Sequence, residues 1–115
     1  TMAPLEHDQI FSTVSHIPHL IAYNMVNLIA GKSNRDTLLE FAASGFKDFS
    51  RIAGSSPEVW KDISLANKTA ILNDLDLFVK EINKTASLIK NEDYIALEKY
   101  FEEASKIRKN WSKKN

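Results

Sequence analysis

Cysteine is absent, so neither a disulfide nor a thiolate-bound metal can staple this chain. Glycine occurs only at positions 31, 45 and 54. A dinucleotide fingerprint needs three glycines within one short turn, and a phosphate loop needs glycines followed by lysine, so the chain alone carries neither nucleotide motif. No apolar run approaches the roughly 20 residues of a membrane span, and no signal peptide is legible. An excess of charge is missing too: 15 basic side chains face 15 acidic ones. A general nucleic-acid binder needs a net basic face to release counterions, so this balance argues against that class.

What is present reads as helix throughout. With 115 residues and 13.0 kDa there is room for one domain with one modest core, here expected to span residues 1–115. Ile10, Val14, Ile17, Ile21, Met25 and Leu28 step at threes and fours, predicting a first helix from Pro4 to about Ala30, stopped at Gly31. Pro18 removes a hydrogen bond inside it and should bend it. A short helix over 36–42, capped by Asn34 or Ser33, follows. Ser44-Gly45 should break the pattern before a helical turn or two over 46–53. Ser56-Pro57-Glu58 places a hydroxyl cap, a proline and an acid where a helix starts. Residues 68–90 form the longest apolar pattern, with Ile71, Leu75, Phe78, Ile82 and Ile89 on one face and Leu72, Val79 and Ala86 widening it. Asn91-Glu92-Asp93 starts the last helix, which carries Leu97, Tyr100, Phe101, Ala104, Ile107 and Trp111. The basic residues Lys106, Arg108, Lys109, Lys113 and Lys114 near its end read as a solvated helix terminus. The expectation is an all-α chain of five or six helices, with more apolar face than it can cover by itself and hence a homodimer.

Two stretches carry chemistry. Ser15-His16-Ile17-Pro18-His19 sets two imidazoles three residues apart on roughly one helix face. They fit partly buried histidines bonded to carbonyls, hydrogen-bonding groups for an anionic ligand, or a metal pair that, even with His7 and Asp8 nearby, lacks the usual ligand spacing. In Gly45-Phe46-Lys47-Asp48-Phe49-Ser50-Arg51-Ile52-Ala53 the acid and the guanidinium can pair across one turn. That pair is a minor surface salt bridge or, if the flanking Phe46, Phe49 and Ile52 desolvate it, a grip for a carboxylate. Gly45 would let backbone approach a ligand or take positive φ. Trp60 and Trp111 read as core.

His7-Asp8, the Ser15–His19 stretch, Gly45–Ala53, Ser56-Pro57-Glu58-Val59-Trp60 and Asn67, in that order and spacing, resemble the C-terminal helical domain of prephenate dehydrogenases. The resemblance runs over essentially the whole chain. It implies a helical dimerisation domain like the C-terminal domain of 6-phosphogluconate dehydrogenase, preceded in the whole enzyme by a Rossmann domain that binds NAD or NADP and holds the catalytic histidine. It further implies a cytoplasmic enzyme of tyrosine biosynthesis that oxidatively decarboxylates prephenate, or in related members arogenate. Arg51 occupies the family's carboxylate-binding position, and His19 that of a pocket histidine with His16 beside it. Asp48 matches an acid paired with the arginine, and Gly45 a stretch of main chain lining the pocket. By the same resemblance no catalytic residue and no metal site belong to this chain, which should be silent alone. The rival reading is a stand-alone helical interaction module whose histidines and arginine are structural.

Overall fold

Proline at its first position and an extended Ala3 before it start the first helix of the computed structural model, which describes residues 2–114. Helix α1 (Pro4–Phe11) runs through a π turn (Ser12–His16) straight into α2 (Ile17–Ala30). α3 (Arg35–Glu40), α4 (Ser44–Ser50), a 3₁₀ segment (Arg51–Gly54), α5 (Pro57–Ala66), α6 (Lys68–Lys90) and α7 (Tyr94–Lys114) follow, and no strand occurs among the described residues. With the α1–π–α2 run counted as one rod, the expected all-α architecture of up to six helices is the one found.

The disturbance expected at Pro18 takes the form of the π turn. Proline has no N–H for the Val14 carbonyl, and its ring collides with that oxygen in a regular helix. The chain widens one turn earlier, where the Ile17 N–H reaches five residues back to the Ser12 oxygen. The start of α5 follows its sequence signals, the Ser56 hydroxyl accepting from the Val59 N–H at 3.3 Å. Two local expectations fail. Asn34 stands at the cap of α3 without bonding it through its side chain. Ser44-Gly45 does not interrupt a helix but opens α4, and no glycine has positive φ among the described residues.

Two compact units divide the chain within α6: Thr1–Leu75 and Asp76–Asn115. In the first, α2 is the element on which α3, α4 and the 3₁₀ segment pack. Its core is small: Ile17, Ala22 and Ile71 are buried, together with Ser12. The Ser12 hydroxyl donates to Asp74 Oδ2 at 2.7 Å and Thr13 donates to the same oxygen at 2.9 Å. These bonds fasten the π turn to α6. In the second unit Tyr100 of α7 donates to Glu81 of α6, and the Lys84 ammonium lies 5.6 Å from the Tyr100 ring centre. Trp111 is not core, being 57% exposed with the Arg108 guanidinium 4.5 Å from its ring centre. The side chains of Lys113 and Lys114 lie outside the described residues.

Candidate functional site

The histidines sit where the π turn hands over to α2. His16 closes the turn and His19 lies in the first turn of α2, both half-buried. Trp60 of α5 joins them: the His19 ring stacks on its indole at 4.0 Å between centroids and 17° between planes. The His16 ring meets the same indole edge-on at 5.9 Å and 79°. His19 Nδ1 donates to the Ser15 carbonyl oxygen at 2.9 Å. His16 Nδ1 is 3.2 Å from Asn67 Nδ2, and that nitrogen donates to the Asp8 carbonyl oxygen at 2.8 Å. Burial, and then the neighbouring His19, push the His16 pKa below the ordinary imidazole value, with Asp8 pulling the other way and His7 adding to the depression. His7 itself is exposed, tilted over the Phe11 ring at 4.5 Å. Among the described residues no three metal-binding side chains converge.

Gly45, Asp48 and Arg51 lie on α4 and the 3₁₀ segment, both packed against α2. Tyr23 of α2 secures that packing by donating to the Ser55 carbonyl oxygen at 3.0 Å. Arg51 stands where the α-helical winding of α4 tightens to 3₁₀. The expected ion pair between Asp48 and Arg51 is not formed among the described residues, and both side chains are exposed. The apolar collar is not closed either, since Phe49 is 45% exposed. An exposed pair of this spacing gains too little to hold two long side chains in one geometry. The guanidinium is therefore open to solvent. Gly45 is exposed with free space around it, a Cβ there meeting nothing within 4 Å.

A cleft of about 640 Å³ opens beside this cluster in the same unit, lined by Asp8, Thr13, Asn67, Lys68 and Asp74 among others. None of the residues given a substrate role from the sequence lines it, although Asp8 and Asn67 belong both to the cleft and to the bonding around His16. The sequence reading missed Trp60 as a member of the histidine cluster and gave Asn67 no role. Their partners lie tens of residues away in the chain, and only the approach of Trp60 and Asn67 to the α1–π–α2 run brings them together.

The model of the family described as "Prephenate dehydrogenase, dimerization domain" matches residues 3–103. The prephenate dehydrogenase of Bacillus subtilis (strain 168) is 42% identical over 108 residues, covering 93% of this chain and 29% of that protein. Among solved structures, prephenate dehydrogenase from A. aeolicus in complex with hydroxyphenyl propionate and NAD+ superposes with a TM-score of 0.87 at 37% identity, over 93% of this chain and 38% of that one. Synechocystis arogenate dehydrogenase does so with a TM-score of 0.86 at 27% identity, over 95% of this chain and 40% of that one. The chain thus spans about a third of the length of the curated relatives it matches. Through residues 3–103 it belongs to the prephenate dehydrogenase dimerization-domain family.

Proposed function

We propose that this chain is the dimerisation and substrate-carboxylate-binding domain of an NAD(P)-dependent prephenate dehydrogenase, a cytoplasmic enzyme of tyrosine biosynthesis. The observation that carries the reading is the family match, which encloses both the paired imidazoles on Trp60 and the solvent-open guanidinium of Arg51. Prephenate is a dicarboxylate. Arg51 would take one carboxylate in two parallel charge-assisted bonds, and Asp48, which does not pair with it in this structure, would help control access. His19 and His16 would hydrogen-bond the substrate, and the main chain at Gly45 would line its pocket.

The residues present do not fit a dinucleotide. The three glycines are far apart and none takes positive φ among the described residues, so no turn cradles a phosphate. The cofactor and the catalytic histidine belong, on this reading, to a Rossmann domain elsewhere in the enzyme, and this chain alone is catalytically silent. Homodimerisation is supported by exposed apolar side chains along the helices: Leu28 at 58%, Ile89 at 58%, Phe101 at 54% and Ile107 at 70%.

Arg51→Ala in the full-length enzyme tests the assignment. Losing a charge-assisted bidentate contact costs about 1.5–3 kcal/mol, so the dissociation constant of prephenate should rise roughly tenfold to a hundredfold. Measuring arogenate alongside identifies the preferred substrate. Unchanged affinity for both would remove Arg51 from the site.

A further inference from the structure

The two imidazoles differ in what their second nitrogen is left to do. The partner of His19 Nδ1 is the Ser15 carbonyl oxygen, which only accepts, so Nδ1 carries the hydrogen and the neutral ring keeps a lone pair on Nε2. The partner of His16 Nδ1 is Asn67 Nδ2, at 3.2 Å. Which end of that carboxamide is nitrogen follows from its other neighbour. Turned the other way, the amide would set its own oxygen 2.8 Å from the Asp8 carbonyl oxygen, two acceptors face to face. The Asn67 nitrogen has two hydrogens and gives one to each partner. His16 Nδ1 must therefore accept, and its ring hydrogen sits on Nε2.

Asn67 is well placed to impose this. It is the C-cap of α5 and leads directly into α6. Its own N–H bonds Ile63 at 3.0 Å and its carbonyl takes the Ile71 N–H at 3.0 Å. The backbone is thereby held on both sides while the side-chain nitrogen is spent on Asp8 and His16. Burial favours the neutral form of the His16 ring, the form in which the distinction between nitrogens has meaning.

We propose that Asn67 is a positioning residue that locks His16 in the tautomer opposite to that of His19, so that the neutral pair offers one Nε2–H donor and one Nε2 acceptor. A ligand carrying both a carboxylate or carbonyl oxygen and a hydroxyl matches such a pair, and a ligand with acceptors alone satisfies only half of it. The assignment of this ligand class rests on the substrate-site reading above. The tautomers themselves do not.

Long-range proton–nitrogen correlation spectra of the full-length protein with ¹⁵N-labelled histidine, taken above neutral pH, read the tautomers directly. His16 and His19 are identified by the signals lost in His16→Gln and His19→Gln. The expected result is hydrogen on Nε2 of His16 and on Nδ1 of His19. Asn67→Asp replaces the donor by an acceptor of the same size and should move the His16 hydrogen to Nδ1. In turnover the same variant should raise KM roughly threefold to tenfold, the worth of one neutral hydrogen bond, and change kcat less. Hydrogen on Nδ1 of His16 in the wild type overturns the proposal, whether or not the variant folds. So does a His16 tautomer that ignores Asn67→Asp. Failure of the dehydrogenase reading would show differently, as tautomers found as expected in a protein that turns over neither prephenate nor arogenate.

Discussion

Burial and the neighbouring His19 hold the His16 imidazole below its ordinary pKa of 6.5, against the opposing pull of Asp8. As pH falls the unfolded chain therefore takes up this proton before the native one does, and stability rises with pH wherever that difference exists. His16 should leave stability untouched above neutral pH and erode it as pH drops below about 6.5, the loss levelling off below the native pKa. Denaturation midpoints measured across that range should fall less steeply in His16→Gln than in the wild type. An equal slope in the two would contradict the burial argument. At this scale the sequence was legible in part. The spacing of His16 and His19 does put both on one side of the helix, where they share Trp60. The roles of Trp60 and Asn67 were hidden because they come from packing between α2 and the α5–α6 corner, which no local pattern encodes. Asp48 and Arg51 could pair by their spacing, but exposure leaves such a bridge too weak to form, and the structure does not form it.

Elements whose ends carry side-chain signals were the readable ones. Ser56-Pro57-Glu58 and the Asp93 carboxylate, which accepts from the Ala96 N–H at 3.2 Å, both start helices as anticipated. The π turn was not readable, because the same Pro18 could be accommodated by a kink or by a widened turn. Nor did any local pattern show that Asp74, a distant residue, collects the Ser12 and Thr13 hydroxyls of the widened turn. The joint between α6 and α7 is a second case. The Asp93 N–H bonds the Leu88 oxygen at 3.1 Å and the Glu92 N–H bonds that of Ile89 at 3.0 Å, a Schellman closure that requires a left-handed residue. That residue is Glu92, at φ 51°, where a glycine would be expected. A side chain in this conformation costs about 1 kcal/mol. Glu92→Gly should therefore stabilise the protein by about that amount and raise Tm by several degrees in calorimetry. A lowered Tm would mean that the exposed bond from Tyr94 to the Glu92 carboxylate matters more than the strain.

At the scale of the whole molecule the dominant fact is unburied surface. Two separate compact bodies the size of its two units would expose roughly 7,600 Å², whereas the chain exposes 9209 Å². On the proposed reading this excess, roughly 1,600 Å², is surface available to a dimer partner, enough for one side of a large interface. The surplus of apolar positions in the first helix and in α6 was legible as periodicity wider than one neighbour could cover. How that surface would divide, on the proposed reading, between a second copy and another domain was not legible, because both kinds of partner select the same residues. On the same reading, one helical chain carries both dimerisation and substrate binding. Nicotinamide reduction by the full-length enzyme, followed with prephenate and with arogenate, tests this most directly. The account predicts turnover with at least one of them, at a KM raised in Arg51→Ala and in His19→Ala, and none from the isolated chain. A full-length protein inert towards both substrates would contradict it.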